Sequence, residues 1–321
     1  MEITFYGTRG STPIARENST IYGGNTTCVR IHSTCLPKGH WLVIDTGSGI
    51  VPLSWDFTKE KAKAVSILFS HYHHDHTQGF ALSAFPYAQE IAVDLYGPYE
   101  HGFGPRDIFL TLMRPPFFPV HFGEIGSHIN CHNIEFPNST ILLVHPIGGL
   151  KVLTRESFER LLEKGKQLPF QGTQKFDVSE CMVMRMHRSN HPEQTISYRF
   201  EERPTGKVFV FVTDHENQDG IPQRFFQHLK GADLLVMDCQ FTRARYDAVT
   251  CGWGHATPDY VVHVAQKVGA KSLGITHHDP PSDDDFINNN ILIPARRHAS
   301  SVSAAPLSIF ACRDYMKIEL S

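Results

Sequence analysis

An α/β fold made of two packed layers of strand and helix is what this sequence predicts, and three observations carry it. Short β-rich runs bounded by Gly, Pro, Asn and Ser occupy the first 70 residues. Strand-like runs alternate with helical ones again from residue 182 onward. Between these comparable halves, a stretch at about 97–176 keeps no steady hydrophobic period. Elements that recur this way bury their apolar faces by stacking into layers.

In chain order, strands are expected at 2–6, 27–31, 41–44 and 65–69. The loops at 7–13 and 23–25 carry glycines that allow close backbone approach to a ligand, or that simply form tight turns. A helical stretch is expected after residue 76, ending near Ala84. In the irregular middle, the Pro-rich run 113–119 cannot continue a helix or a central strand. A short amphipathic helix is expected at 154–164, with Thr154 as N-cap and Gly165 just past its end. Strands follow at 182–186, 195–200, 208–212, 234–237 and 272–275. Thr257-Pro258-Asp259 opens a helix that Gly269 closes. Another helix starts near Ser282 and is limited by Pro294, and 308–320 reads as one closing strand.

The length, 321 residues, suits either two domains or one large one. The reading adopted is a single domain over 1–321, with 97–176 as an irregular insertion or lid. Lys+Arg number 30 and Asp+Glu 33, a net charge of −3 that leaves no basic excess for a long polyanion. No apolar run approaches the ~20 residues of a membrane helix, and the first residues lack the pattern of a signal peptide. A cytoplasmic protein is expected. The seven Cys are scattered without a C-x-x-C pair, so neither a disulfide framework nor a thiolate zinc site is indicated. The 20 His are the informative excess, and any metal would be held by His and Asp.

The central signal is Ser70-His71-Tyr72-His73-His74-Asp75-His76-Thr77, directly after an apolar strand. In an extended loop, side chains two apart point the same way, so His71 and His73 can reach one ion. Once the chain turns helical, Asp75 and His76 swing away toward a second. Imidazole and carboxylate together suit zinc, and also manganese or iron. Asp45, at a strand end beside a Gly turn, either orients a ligand imidazole through its other nitrogen or is a plain turn residue.

On that H-x-H-x-D-H motif the sequence resembles the metallo-β-lactamase superfamily, and the resemblance spans nearly the whole chain. Thr8-Arg9-Gly10-Ser11, Gly252-Trp253-Gly254-His255-Ala256-Thr257 and Ile275-Thr276-His277-His278-Asp279-Pro280 look like its phosphodiesterase branch, which includes ribonuclease Z and cyclic-phosphate diesterases. The resemblance implies an αββα four-layer sandwich with two divalent ions at one edge. Carried over residue by residue, it implies His71 and His73 on the first ion and Asp75 and His76 on the second. His191 fits the third His of the first site, with His145 and His187 as competitors. Asp214 matches the bridging carboxylate. His277 matches the last ligand, with His278 adjacent and weakly separable. His255 matches a residue that contacts the scissile phosphate and assists the leaving group. Asp238 is a candidate to hold the His255 tautomer, or a turn residue. The catalytic set is thus His255, Asp75 and Asp238. Arg9 or Arg185 would either add charge stabilisation or be solvated.

The implied function is hydrolysis of a small phosphodiester such as a cyclic nucleotide, with no membrane and no long nucleic acid as partner, and a homodimer as the candidate assembly. The tRNA-gripping arm of ribonuclease Z is typically inserted between the third ligand His and the bridging Asp. Here His191 and Asp214 are only 23 positions apart, room for a hairpin and no arm. Two rival readings remain: a hydrolase of a lactone, thioester or β-lactam, and a metal-bound sensor without hydrolysis.

Overall fold

Alternating and β-branched apolar runs pair into two large sheets in the computed structural model, which describes residues 1–125, 128–165, 167–170, 174–216, 220–302 and 306–321. Its strands are β1 (Glu2–Gly7), β2 (Cys28–His32), β3 (His40–Ile44), β4 (Ala64–Leu68), β5 (Ala92–Pro98), β6 (Ile129–Ile134), β7 (Thr140–His145), β8 (Gly149–Thr154), β9 (Gln167–Pro169), β10 (Lys175–Asp177), β11 (Met182–Arg188), β12 (Ile196–Glu202), β13 (Lys207–Val212), β14 (Leu234–Asp238), β15 (Ser272–Thr276), β16 (Ser308–Ala311) and β17 (Lys317–Glu319). The first sheet runs β17-β1-β2-β3-β4-β5-β6, and the second β16-β15-β14-β13-β12-β11-β7-β8. In each sheet one block is parallel, β3 to β6 and β13 to β16.

The layers follow from where the apolar side chains go. Ile3, Phe5, Ile31 and Leu42 of the first sheet meet Leu142, Met184, Phe200 and Phe211 of the second in one buried cluster. The outer face of the first sheet packs Phe57 and Phe109, from the helices Ile50–Lys59 and Pro105–Leu112. The outer face of the second packs Val261, Val264 and Ala295, from the helices Pro258–Val268 and Ile293–Val302. Burying a side chain of this kind contributes ~1.5–3 kcal/mol, and neither sheet can do so alone. The result is the expected αββα sandwich.

Several local expectations need correction. The 97–176 stretch is regular where it joins the sheets: β6 closes one edge of the first, and β7 and β8 close one edge of the second. Its strands are short and interrupted by turns and by the helices Pro105–Leu112 and Arg155–Glu163, so no steady period shows in the sequence. The segment 308–320 is two strands in different sheets, because a turn at Arg313-Asp314-Tyr315, with Tyr315 at φ 63°, carries the chain across. Pro294 does not end its helix. A π-helical stretch, Ile287–Leu292, precedes the helix Ile293–Val302 and accommodates the missing proline N–H. The helix after β4 is a single turn, His74–Thr77, followed by a separate short turn at Phe80–Leu82. The two cap readings fit closely: Thr154 accepts from the Ser157 N–H, and Gly269 adopts φ 68° at the end of Pro258–Val268. Among the described residues no helix is long and apolar enough to cross a membrane.

Candidate metal centre

Parallel β-strands bring their C-terminal ends to one edge, where open α/β sheets place their ligand sites. Here β3 delivers Asp45, β4 the loop with His71 and His73, β13 Asp214, β14 Asp238 and β15 His277. His191 arrives on the hairpin between β11 and β12. Donor atoms of His71, His73, His191 and Asp214 lie within 4.8 Å of one another, as do those of Asp75, His76 and His277. The two oxygens of Asp214 face these two groups. Oδ2 is 3.5 Å from His71 Nε2 and 4.0 Å from His191 Nε2. Oδ1 is 3.3 Å from His76 Nε2 and 3.2 Å from His277 Nε2. Asp75 Oδ2 completes the second group, 3.2 Å from His76 Nε2 and 3.1 Å from His277 Nε2.

The donors are aimed from behind. The single turn that starts at His74 rotates Asp75 and His76 away from His71 and His73. Asp45 accepts from His76 Nδ1 at 2.8 Å and from the Ser70 amide and hydroxyl at 2.7 Å each. The His191 Nδ1–H donates to the Gly254 carbonyl at 3.0 Å. A Cβ on Gly254 would lie 2.0 Å from His191 Nδ1, so the glycine in this motif makes room for the ring. The Ser11 amide donates to Asp75 at 2.7 Å, and Gln240 Oε1 accepts from His277 Nδ1 at 3.2 Å. Asp45, Asp214 and His277 each hold a left-handed backbone, φ 58°, 48° and 62°, at the end of a strand. Such residues cost roughly 1–3 kcal/mol each and persist where the surroundings enforce them.

The electrostatics ask for a cation. Four buried carboxylates, Asp45, Asp75, Asp214 and Asp238, converge on these imidazoles. Burial opposes the charge on His277, but Asp214, Asp75 and Asp238 outweigh it and push its pKa up to about 9. His71 Nε2 and His76 Nε2 are buried without a hydrogen-bond partner, an arrangement that is costly unless something binds there. Nitrogen and oxygen donors without thiolate fit zinc, manganese or iron.

His255 stands beside the cluster. Its Nδ1 is 2.9 Å from Asp238 Oδ2, its ring stacks on His277 with centroids 5.0 Å apart, and 12% of its side chain stays exposed. It also lies within ligand distance of Asp214 and His277. It opens on a cavity of about 430 Å³ lined by Ser11, Tyr72, His73, Asp75, Asp214 and His277. A more apolar cavity of about 260 Å³ adjoins it across His73, walled by Pro98, His101, Phe103 and Ile108.

The competitors lie elsewhere. His278 bonds the Cys312 carbonyl at 2.8 Å, and burial pushes its pKa down to about 3. His145 stacks on Phe176 at 3.7 Å, and His187 on Phe225 at 5.5 Å, both away from the ion groups. Neither arginine is aimed at the centre, and Arg9 is not solvated. Arg9 is fully buried and donates to the Gly23, Asp279 and Ser282 carbonyls. Arg185 pairs with Glu201 at 3.4 Å on the outer face of the second sheet. The glycines of 7–13 and 23–25 also serve the protein itself. Gly10 leaves space for the His277 ring, and the Gly24 and Asn25 amides donate to Asp314.

Comparison with known proteins finds metallo-β-lactamase-fold relatives. The Beta-lactamase superfamily domain matches residues 148–278, which contain His191, Asp214 and His277. Ribonuclease Z of Brevibacillus brevis is 23% identical over 310 residues, 92% of each chain. The metallo-beta-lactamase fold protein YhfI from Bacillus subtilis superposes with a TM-score of 0.61 at 20% identity, over 99% of both chains. The chain thus has the fold of metallo-β-lactamase-fold proteins, and its residues 148–278 match the superfamily's domain. A diphosphatase of the PhnP family superposes with a TM-score of 0.58 at 17% identity, over 100% of this chain and 98% of that one.

Reading the sequence for superfamily ligands did not reach Ser70, Ser11 or Gln240. Ser11 and Ser70 lie inside the motifs above without a role there, and Gln240 in none. Ser11 donates to Asp75, Ser70 to Asp45 behind His76, and Gln240 accepts from His277, contacts that no spacing reveals.

Proposed function

We propose that this protein is a metal-dependent phosphodiesterase that hydrolyses a small phosphodiester, such as a cyclic nucleotide. That it is a hydrolase of the superfamily rests on its relatives. The observation that favours a phosphodiester over a carbonyl substrate is His255, held by Asp238 in the cavity that Asp75, Asp214 and His277 line. His71, His73, His191 and Asp214 would hold one ion, and Asp75, His76, His277 and Asp214 the other. Divalent ions there, zinc first by donor chemistry, supply Lewis-acid polarisation and acidify a bound water to a pKa of about 7.

The chain's own residues supply the rest. A carboxylate only accepts, so Asp238 fixes the proton on His255 Nδ1 and leaves Nε2 for the substrate. In its charged form, His255 can donate from Nε2 to the departing alkoxide. That step is needed because an alkoxide is a poor leaving group. Pro98, Phe103 and Ile108 give the neighbouring cavity an apolar wall suited to the organic part of a small substrate, and 97–176 thereby shapes the pocket. The interval between His191 and Asp214 is filled by the β12–β13 hairpin, which supports a small substrate over a tRNA. The seven free cysteines support a cytoplasmic setting.

Metal analysis combined with a substrate panel tests this reading. The panel is bis(p-nitrophenyl) phosphate, cyclic nucleotides, a precursor tRNA, a lactone and a β-lactam. The expected result is diester turnover without carbonyl turnover, with cyclic nucleotides cleaved faster than the tRNA. Carbonyl turnover alone overturns the proposal, and bound metal without any turnover would favour the sensor.

A further inference from the structure

A cavity of about 620 Å³ opens on the outer face of the second sheet, beside the helices Arg155–Glu163 and Gln223–Leu229, and shares no residue with the ion groups. Arg155, Arg185, Arg199 and Arg224 line it, against only two carboxylates, Glu159 and Glu201. Glu159 is taken by Arg155 at 2.8 Å. Glu201 is shared three ways: with Arg199 at 2.7 Å, Arg185 at 3.4 Å, and Arg203. One negative charge therefore serves three guanidiniums. The Nη atoms of Arg185 and the whole Arg224 guanidinium make no hydrogen bond or ion pair with any described residue.

The remaining wall adds no charge of its own. Burial drives His187 down to about pH 4, and His228 well below the usual imidazole range. Both rings are neutral and flat, and they stack on each other with centroids 5.4 Å apart. In a chain of net charge −3, this is a local excess of guanidinium charge over carboxylate charge, with the Arg185 Nη atoms and Arg224 left over. Guanidinium forks match phosphate oxygens in pairs, which a point charge such as ammonium does not. The volume exceeds what a bare phosphate fills and lies in the range of sites for small organic ligands.

We infer that this cavity is a second, non-catalytic site that binds a phosphorylated small molecule, with its phosphoryl group on Arg185 and Arg224 and its organic part against His187 and His228. The shared chemistry is a phosphate dianion, which either free phosphate or a phosphomonoester can supply. The site does not depend on what the metal centre hydrolyses.

Calorimetric titration of the full-length protein with AMP, ribose 5-phosphate and inorganic phosphate tests it. Each titration is run before and after chelator treatment, so that binding at the metal centre can be subtracted. The expected result is saturable, salt-sensitive binding that survives chelation and weakens about 10-fold or more in Arg224→Gln, the loss of one charge-assisted bond pair. Arg224 is exposed on a helix surface, so this variant folds; Arg185→Gln, with intact circular dichroism, should show the same loss. Tighter AMP than phosphate points to a phosphomonoester, and equal affinities point to free phosphate. Absence of saturable binding after chelation, or equal affinity in wild type and Arg224→Gln, overturns the proposal.

Discussion

The four donors on the first sheet and the three on the second reach the same centre by different means. His71, His73, Asp75 and His76 fall within six consecutive residues, and one helical turn sets their directions. His191, Asp214 and His277 come from three separate connections spread over residues 191–277. Asp214 and His277 sit at strand ends in left-handed backbone, whereas none of the four first-sheet donors has a positive φ. The first set is organised by short-range chain geometry. The second is organised by strand register and by bonds from Gly254 and Gln240. A contiguous set should therefore tolerate changes in its surroundings better than a scattered one.

The variant with the largest expected effect removes the residue that joins the two sets. Asp214→Ala takes away an oxygen from each group, and elemental analysis should show at least one ion lost per chain. Full occupancy in that variant would refute a bridging role.

Next comes His255→Ala, which lies outside both sets in the proposed mechanism. It should keep both ions while diesterase turnover falls roughly 10²–10⁴-fold, the usual contribution of a positioned general acid. The loss should be smaller with p-nitrophenolate than with a ribose alkoxide as leaving group. Loss of an ion instead would make His255 a ligand, which its distance to Asp214 and His277 allows.

A smaller effect tests the scattered set directly. Gly254→Ala places a Cβ 2.0 Å from His191 Nδ1 and should weaken metal binding about 10–100-fold, the scale on which support behind a ligand acts. Competition with a fluorescent chelator would measure it. The mildest change addresses the contiguous set: Asp45→Asn keeps the shape behind His76 but removes the charge, and the same assay should show about a 10-fold loss. If Asp45→Asn proved costlier than Gly254→Ala, the contrast between local and register-built donors would be wrong.

Legibility in the sequence follows the same division. The H-x-H-x-D-H loop was plain because its donors are neighbours and imidazole clusters are rare. The helix caps at Thr154 and Gly269 were plain because capping is a local property. His191, Asp214 and His277 could be singled out through resemblance, since their separation along the chain carries no period. Arg9 is neither solvated nor site-facing, and Arg185 is not site-facing, because burial and direction depend on which segments fold over a residue. The regular strands inside 97–176 were hidden because each is too short to declare itself apart from the sheet edge it joins.

By itself the sequence determined that the chain alternates strand and helix in two halves, that imidazole and carboxylate would hold any metal, and where the candidate ion-binding loop begins. These depend on nearest-neighbour geometry and side-chain chemistry, which no distant contact alters. Only the tertiary structure decided that both parallel blocks end at one edge, that His278 turns inward to Cys312 while His277 faces Asp214, and that three guanidiniums share Glu201. Each of these is fixed by the register and packing of segments far apart in the chain, where a shift of one residue reverses which way a side chain points.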